Sequence, residues 1–200
     1  MGSAAERIID LYERHAGAWD SQRSGTRLEA SWIERFVARL PPGAAILDIG
    51  CGAGAPIATH LDGLGFSITG VDSSPAMIAR ARERMPRQTW HVADMRELSL
   101  GRRFDGMLAW DSFFHLTRED QRAMFRVFGA HAGPRCALMF TSGPSDGEAI
   151  GALEGEPLYH ASLDPDVYRA LLRDEDFEVL DFIANDPDCG GHTVWLARRI

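Results

Sequence analysis

ILDIGCGAG, residues 46–54, joins a short apolar run to three glycines at alternate positions. Ile46, Leu47 and Ile49 flank one acid, Asp48; Gly50, Gly52 and Gly54 follow, and a helical pattern starts behind them. An apolar run that breaks into glycines and then takes up helical spacing reads as a buried strand, a tight turn and a helix. Glycine lets the backbone reach positive φ and lets a ligand approach, because no Cβ stands in the way. Open α/β sheets bind nucleotide-like ligands at such turns, outside the carboxyl ends of parallel strands.

The pattern continues on both sides of this turn. Strands are expected at 45–49, 67–71, 89–92, 104–110 and 136–141, with helices at about 54–64, 75–85 and 118–131 between them. Pro75 opens the second helix, where proline is tolerated, and Thr117 can cap the third, with Glu119 and Asp120 in its first turn. Strands alternating with helices imply βαβ units and a mostly parallel sheet. The end differs: a helix at about 165–174 precedes β-rich runs at 177–183 and 192–197 around a turn-rich NDPDCGG, which suggests an antiparallel pair. Ahead of the sheet, apolar residues at helical spacing in 3–15 and 26–40, with a polar joint from Ser21 to Gly25, predict a helical cap over residues 1–42 in front of a main domain at 43–200. Residues 143–164 are acidic and rich in Gly and Pro, and read as a long loop over the substrate; the even spacing of glycines 143, 147, 151 and 155 is taken as coincidence.

Composition narrows the function. A chain of 200 residues fits one domain with a sizeable core. A formal charge of −8 and a pI of about 5.3 argue against a nucleic-acid partner, and Arg80, Arg82, Arg84 and Arg87 read as a solvated helix face. Cys51, Cys136 and Cys189 are scattered and odd in number, so neither a disulfide framework nor a metal site is expected. No apolar run approaches a membrane span and the N-terminus lacks an apolar signal core, so a cytoplasmic protein is expected, monomeric or homodimeric.

The acids select the ligand. GxGxxG/A marks dinucleotide sites, and Gly50, Gly52 and Ala55 match it loosely. Asp48 lies inside a strand end, where a buried carboxylate needs a partner. Asp72 ends the second strand in GVDSS, where an acid accepts ribose hydroxyls. Asp94 follows the third strand in HVADM. Acids at three consecutive strand ends suit a ligand with a ribose, an adenine amino group and a positive centre, and suit a pyrophosphate poorly.

Through DIGCGAG (48–54), VDSSPAMIARAR (71–82), HVADM (91–95) and FDGMLAWDSFFHL (104–116) the chain resembles the class I S-adenosylmethionine-dependent methyltransferases over residues 43–200. The resemblance implies a Rossmann-like, doubly wound, mostly parallel seven-stranded sheet with an antiparallel last strand. It implies S-adenosylmethionine as cofactor, with S-adenosylhomocysteine as product. Asp48, Gly50, Cys51, Gly52 and Gly54 would border its methionine portion, and Asp72 its ribose hydroxyls. Ser73 and Met77 would sit by ribose and adenine, Asp94 and Met95 by the adenine edge, and Trp110 near the sulfonium. Tyr12, Trp19 and Arg23 would close over the carboxylate end as a lid.

The family's amino-directed nucleic-acid members carry a proline-rich motif where this chain reads WDSFFH, so the acceptor is expected to be a small molecule. Histidine titrates near neutral pH and suits proton removal; His160 and His115 are the candidate catalytic residues, with Asp111 and Glu148 as further candidates for amine substrates. Phe113, Phe114, Met139 and Phe140 are read as core or as an apolar pocket wall. Two rival functions are a non-catalytic cofactor-binding module and a nicotinamide-dependent oxidoreductase; the chain contains no lysine, which removes oxidoreductases with a Tyr-Lys pair.

Overall fold

The computed structural model describes residues 4–23, 25 and 28–200. Its centre is a seven-stranded sheet formed by β1 (Ala45–Ile49), β2 (Ser67–Asp72), β3 (Thr89–Val92), β4 (Phe104–Ala109), β5 (Ala132–Ser142), β8 (Phe177–Asp186) and β9 (His192–Arg199). Their order is β3-β2-β1-β4-β5-β9-β8; β9 runs antiparallel to both neighbours, and the pairings among β1 to β5 are parallel. The order reverses at β1, so the turns after β1 and β4 meet above the carboxyl ends of adjacent strands, where such sheets take ligands.

Alternation along the strands separates two cores. Leu47, Ile49, Met107, Leu138, Phe140 and Trp195 face α5 (Arg118–His131) and α6 (Pro165–Asp174). There Phe113, Phe125, Phe128, Phe140, Tyr168 and Trp195 form a continuous aromatic cluster with centroids 5.5 to 6.4 Å apart. Burying each such ring contributes about 1.5–3 kcal/mol. On the other face Ile46, Leu108, Met139, Val194 and Leu196 meet α2 (Ala30–Val37), α3 (Ile57–Gly63) and α4 (Pro75–Arg84). Phe113, Met139 and Phe140 therefore belong to the core; only Phe114 stays partly exposed, against His160.

Two expectations are corrected. Residues 143–164 are not a loop: they contain a hairpin of β6 (Gly147–Leu153) and β7 (Glu156–Ser162). Glu154 and Gly155, both at positive φ, make the two-residue turn that hairpins favour. The strand signal is weak because β6 is exposed almost throughout; its Leu153 packs with Leu158 on Leu11, and Tyr159, Ala161 and Ser162 of β7 are buried as well. The second correction concerns the cap. The first helix, α1, runs Ile8–Arg23 through the expected joint, with non-helical dihedrals at His15, where it was expected to end. Ser24, Thr26 and Arg27 of that region lie outside the described residues, as do residues 1–3.

α1 is fastened on both sides. Glu13 accepts hydrogen bonds from Ser74 Oγ and from Ala76 N (3.0 Å), so it caps α4 beside Ser74, the N-cap residue. Asp20 takes a bidentate contact from Arg84 (2.9 and 3.0 Å) and lies 3.5 Å from Arg80. Two members of the arginine cluster thus hold α1, and Arg82 donates to Trp90 O. Toward the hairpin, Arg14 and His15 contact Glu156 and Gln22 donates to Glu154.

Gly70 in β2 is fixed by packing. A Cβ there would lie 2.2 Å from the buried Trp90 indole and 2.9 Å from Cys51 Sγ. Gly70→Ala should lower unfolding free energy by about 1–3 kcal/mol, as overpacking does; urea denaturation checks this, and an unchanged midpoint would mean that the indole swings aside freely.

Candidate active site

The glycine turn is stitched to the end of β2. Gly50 N and Cys51 N donate to Val71 O at 2.7 and 3.0 Å, and Gly52 N donates to Asp72 Oδ2 at 2.9 Å. The other Asp72 oxygen accepts from Ser74 N, also at 2.9 Å. One carboxylate therefore joins the turn after β1 to the start of α4. Gly50 has φ +75°, and a Cβ there would meet Ser112 Cβ at 2.2 Å. Ser112 in turn donates from Oγ to Ile49 O at 2.7 Å, which brings the segment after β4 hard against the turn.

Above this floor lies a cavity of about 310 Å³. α1 supplies Tyr12 and Trp19, the turn Gly50 and Gly52, and the end of β2 Asp72 and Ser73. Met77, Asp94, Met95, Asp111, Ser112 and His115 complete the wall. A narrower cleft of about 50 Å³ continues past Trp19, Gly50, Gly52 and Asp111, which line both spaces. The cleft adds Arg23, Asp48, Cys51, Gly54 and Trp110. Each of the fourteen residues expected at a cofactor thus lines the cavity, the cleft or both. Trp110 Nε1 is buried and has no hydrogen-bond partner among the described residues.

Electrostatics differ along the wall. Burial pushes the Asp48 carboxyl up to about 7; the Asp72 charge works in the same direction and Arg23 opposes it. Asp72 is likewise raised by burial, against the hydrogen bonds from Ser74 N and Gly52 N. Asp94 departs from expectation: its carboxylate is held bidentate by Arg96 and accepts Arg96 N, so it caps a short 3-10 turn. Burial acts upward on Asp94, but these bonds outweigh it and hold the group below its ordinary value. Asp94 lines the cavity while both its oxygens are already engaged. Burial raises the Cys51 thiol well above its ordinary value, which keeps it a small uncharged filler of the turn.

The two candidate histidines separate. His115 is buried with Nδ1 2.8 Å from Tyr159 O and Nε2 2.8 Å from Tyr12 O. A carbonyl only accepts, so Nδ1 carries the proton and the Tyr12 hydroxyl donates to Nε2. Burial takes His115 down to about 4, so it is neutral. His160, on β7, does not line the cavity. It stacks behind His115 at 4.9 Å and lines a separate groove with Phe114 and residues 142–149. Its expected direct role in proton removal has no geometric support, because the His115 ring stands between. Glu148 also lies in that outer groove.

Two features had no local signal. Asp111 adopts φ +48°, lies 2.9 Å from His192 Nε2 and 3.6 Å from Arg23. His192 comes from β9, about eighty positions downstream, and stacks on Trp110 at 5.6 Å. Tyr12 meets His115 across 103 positions. Only the Cβ-free Gly50 hinted that a neighbour such as Ser112 would crowd the turn.

Similarity to known proteins agrees with this architecture. The profile of a family described as a methyltransferase domain matches residues 46–134. The chain is 37% identical over 109 residues to a dTDP-3-amino-3,6-dideoxy-alpha-D-glucopyranose N,N-dimethyltransferase of Streptomyces fradiae, covering 53% of this chain and 42% of that one. It is 30% identical over 190 residues to an O-methyltransferase of Pyrenophora dematioidea, covering 84% of this chain and 69% of the relative. The chain spans about half the length of several curated relatives, from 42% to 50% of three of them. Magnesium protoporphyrin IX methyltransferase from Synechocystis, solved with bound SAM, superposes with a TM-score of 0.74 at 18% identity over 100% of this chain and 99% of that one. With a relative this similar across most of both chains, and a fold shared with a SAM-bound methyltransferase, the chain belongs to the class I S-adenosylmethionine-dependent methyltransferases.

Proposed function

We propose that the protein transfers a methyl group from S-adenosylmethionine to a small-molecule acceptor. The observation that carries this reading is Asp72: a carboxylate fixed by Gly52 N and Ser74 N at the mouth of a cavity whose glycine floor admits no Cβ. The residues present fit the cofactor. Asp72 retains lone pairs for vicinal ribose hydroxyls, Met77 and Met95 offer soft apolar contact for a flat base, and the cleft beyond Trp19 holds Asp48, Arg23 and the unpartnered Trp110 Nε1 for an amino-acid end.

When bound, the sulfonium cofactor supplies an activated methyl group; the protein supplies position and electrostatics. Holding two reactants at near-attack distance is worth about 7–11 kcal/mol in favourable cases. Here α1 provides that constraint. Tyr12 and Trp19 pack edge-on at 5.4 Å across the cavity, and the contacts of Glu13, Asp20 and Arg14 fix the helix above it. Of the expected cap over residues 1–42, α1 serves as the lid, whereas α2 packs into the core through Trp32, Ile33 and Phe36. His115 and Tyr12 line the acceptor end, with His160 as support behind His115. No helix among the described residues is long and apolar enough to cross a membrane, and no cluster of metal-ligating side chains occurs among them. A cytoplasmic setting and an acceptor other than nucleic acid remain part of this proposal, supported by the acidic balance of the chain.

Calorimetric titration with S-adenosylhomocysteine should show binding, with none for NADH. Asp72→Ala should weaken it by about 10–100-fold, the loss expected for charge-assisted hydrogen bonds. Binding of NADH alone would overturn the reading.

Asp48 sets the pH dependence of cofactor binding. Its folded value near 7 means that the free protein holds a proton there below pH 7, whereas a positively charged ligand favours the ionised form. Affinity for S-adenosylmethionine should therefore fall as pH drops below 7, by up to about tenfold per pH unit, and stay level above it. Asp48→Asn should flatten this dependence; calorimetry between pH 5.5 and 8 reads it.

A further inference from the structure

We propose that the acceptor is an amine, and that Asp111, positioned by His192, binds its nitrogen and stabilises the positive charge which that nitrogen gains. This inference rests on the methyltransferase reading and names its substrate class.

Asp111 stands where the wide cavity and the narrow cleft meet, since it lines both. Its backbone is in the left-handed region at φ +48°, an unfavourable conformation for a residue with a side chain, and such strain collects at functional positions. Asp111 N donates to Thr141 Oγ1 at 2.9 Å, which anchors the strained turn to β5. His192 Nδ1 lies 2.6 Å from Cys189 O and so carries a proton. Its Nε2 lies 2.9 Å from Asp111 Oδ1, and a carboxylate there favours a second proton and the imidazolium. The contact is a buried ion pair: His192 faces Asp111 Oδ1, and the Arg23 guanidinium lies 3.6 Å from Oδ2. A charged acceptor atom is thus held rigidly at the junction with a lone pair to spare. The charged groups around His192 are Asp111 and, further off, Arg23; Trp110 covers its ring.

The rest of the wall disfavours other nucleophiles. Among the described residues the cavity carries five carboxylates, Glu6, Asp72, Asp94, Asp111 and Asp120, against one guanidinium, Arg96. Anionic nucleophiles such as carboxylates, phenolates and thiolates are repelled by such a wall. An alcohol needs a base, and the single lone pair of His115 Nε2 is taken by the Tyr12 hydroxyl. A neutral amine needs no base. Its lone pair forms the new N–C bond while the C–S bond breaks with its electron pair going to sulfur. The nitrogen then carries the charge that sulfur has lost, next to Asp111, and its surplus proton leaves to solvent afterwards. A carboxylate fixed in advance where charge develops is an effective form of catalysis.

The test uses the full chain with matched sets of small amines, alcohols, phenols and carboxylic acids. Methyl-labelled S-adenosylmethionine and mass spectrometry read the products; calorimetry of the same compounds on the S-adenosylhomocysteine complex reads binding without turnover. Labelled products are expected among the amines alone. Asp111→Asn, which tolerates the left-handed backbone, should lower kcat/KM by about 100-fold or more and weaken amine binding by about tenfold, while the affinity for uncharged-sulfur S-adenosylhomocysteine is retained. His192→Gln should raise KM for the amine more than it lowers kcat, and should remove from the pH profile an ionisation lying above the ordinary histidine range. Products among alcohols, phenols or acids, absence of amine binding to the complex, or full activity of Asp111→Asn would each overturn the proposal. Loss of S-adenosylhomocysteine binding by the unaltered protein would instead overturn the methyltransferase reading itself.

Discussion

The site depends on one carboxylate. Asp72 accepts from Gly52 N and Ser74 N, and so couples the turn after β1 to the helix that starts after β2. Burial penalises its charge and the two backbone donors compensate, an arrangement that holds only while all three groups stay in register. Register in turn is set by the parallel pairing of β1 with β2, in which Asp48 lies opposite Gly70 and Ile49 opposite Val71. Gly70 admits Trp90 against the sheet, and Gly50 admits Ser112 against the turn. The glycines thus act by the space they leave, and each space is filled by a side chain from another strand end.

α1 is attached by charge more than by apolar contact. Asp20 with Arg80 and Arg84, Glu13 with the start of α4, and Glu156 with Arg14 and His15 make these contacts; Asp20 is buried, whereas Arg14 is exposed and Glu156 partly so. Exposed pairs contribute little each, about 0–1 kcal/mol. The apolar part is small: Leu11 with Leu153 and Leu158, and Ala16 with Ala53 and Met77. The β6–β7 hairpin belongs to this same device, since β7 also supplies the carbonyl of Tyr159 that fixes the tautomer of His115.

Much of this was legible in the sequence for physical reasons. β1, β4 and most of β2 and β5 are buried, so they show as apolar runs, and the caps Ser74 and Thr117 mark helix starts by their side-chain chemistry. What was not legible has reasons too. The hairpin was hidden because β6 is exposed almost throughout and carries no alternating pattern. His160 looked like a substrate contact from its place in the chain, yet it stacks on His115 and lines a separate groove. Asp94 stood at the expected strand end, but Arg96, two residues on, occupies its oxygens.

By itself the sequence determined the order of the parallel strands and the helices between them, the glycine turn with Asp72 beside it, and the family resemblance, because these are written in local spacing and in the steric demands of single residues. Only the tertiary structure decided which distant groups meet above that turn: Tyr12 with His115, Asp111 with His192, and Trp19 across Gly52. Such pairings join positions from about thirty to about a hundred apart, and are fixed by how strands β4, β5 and β9 lie side by side and how α1 folds back over them, a result of packing that no local pattern encodes.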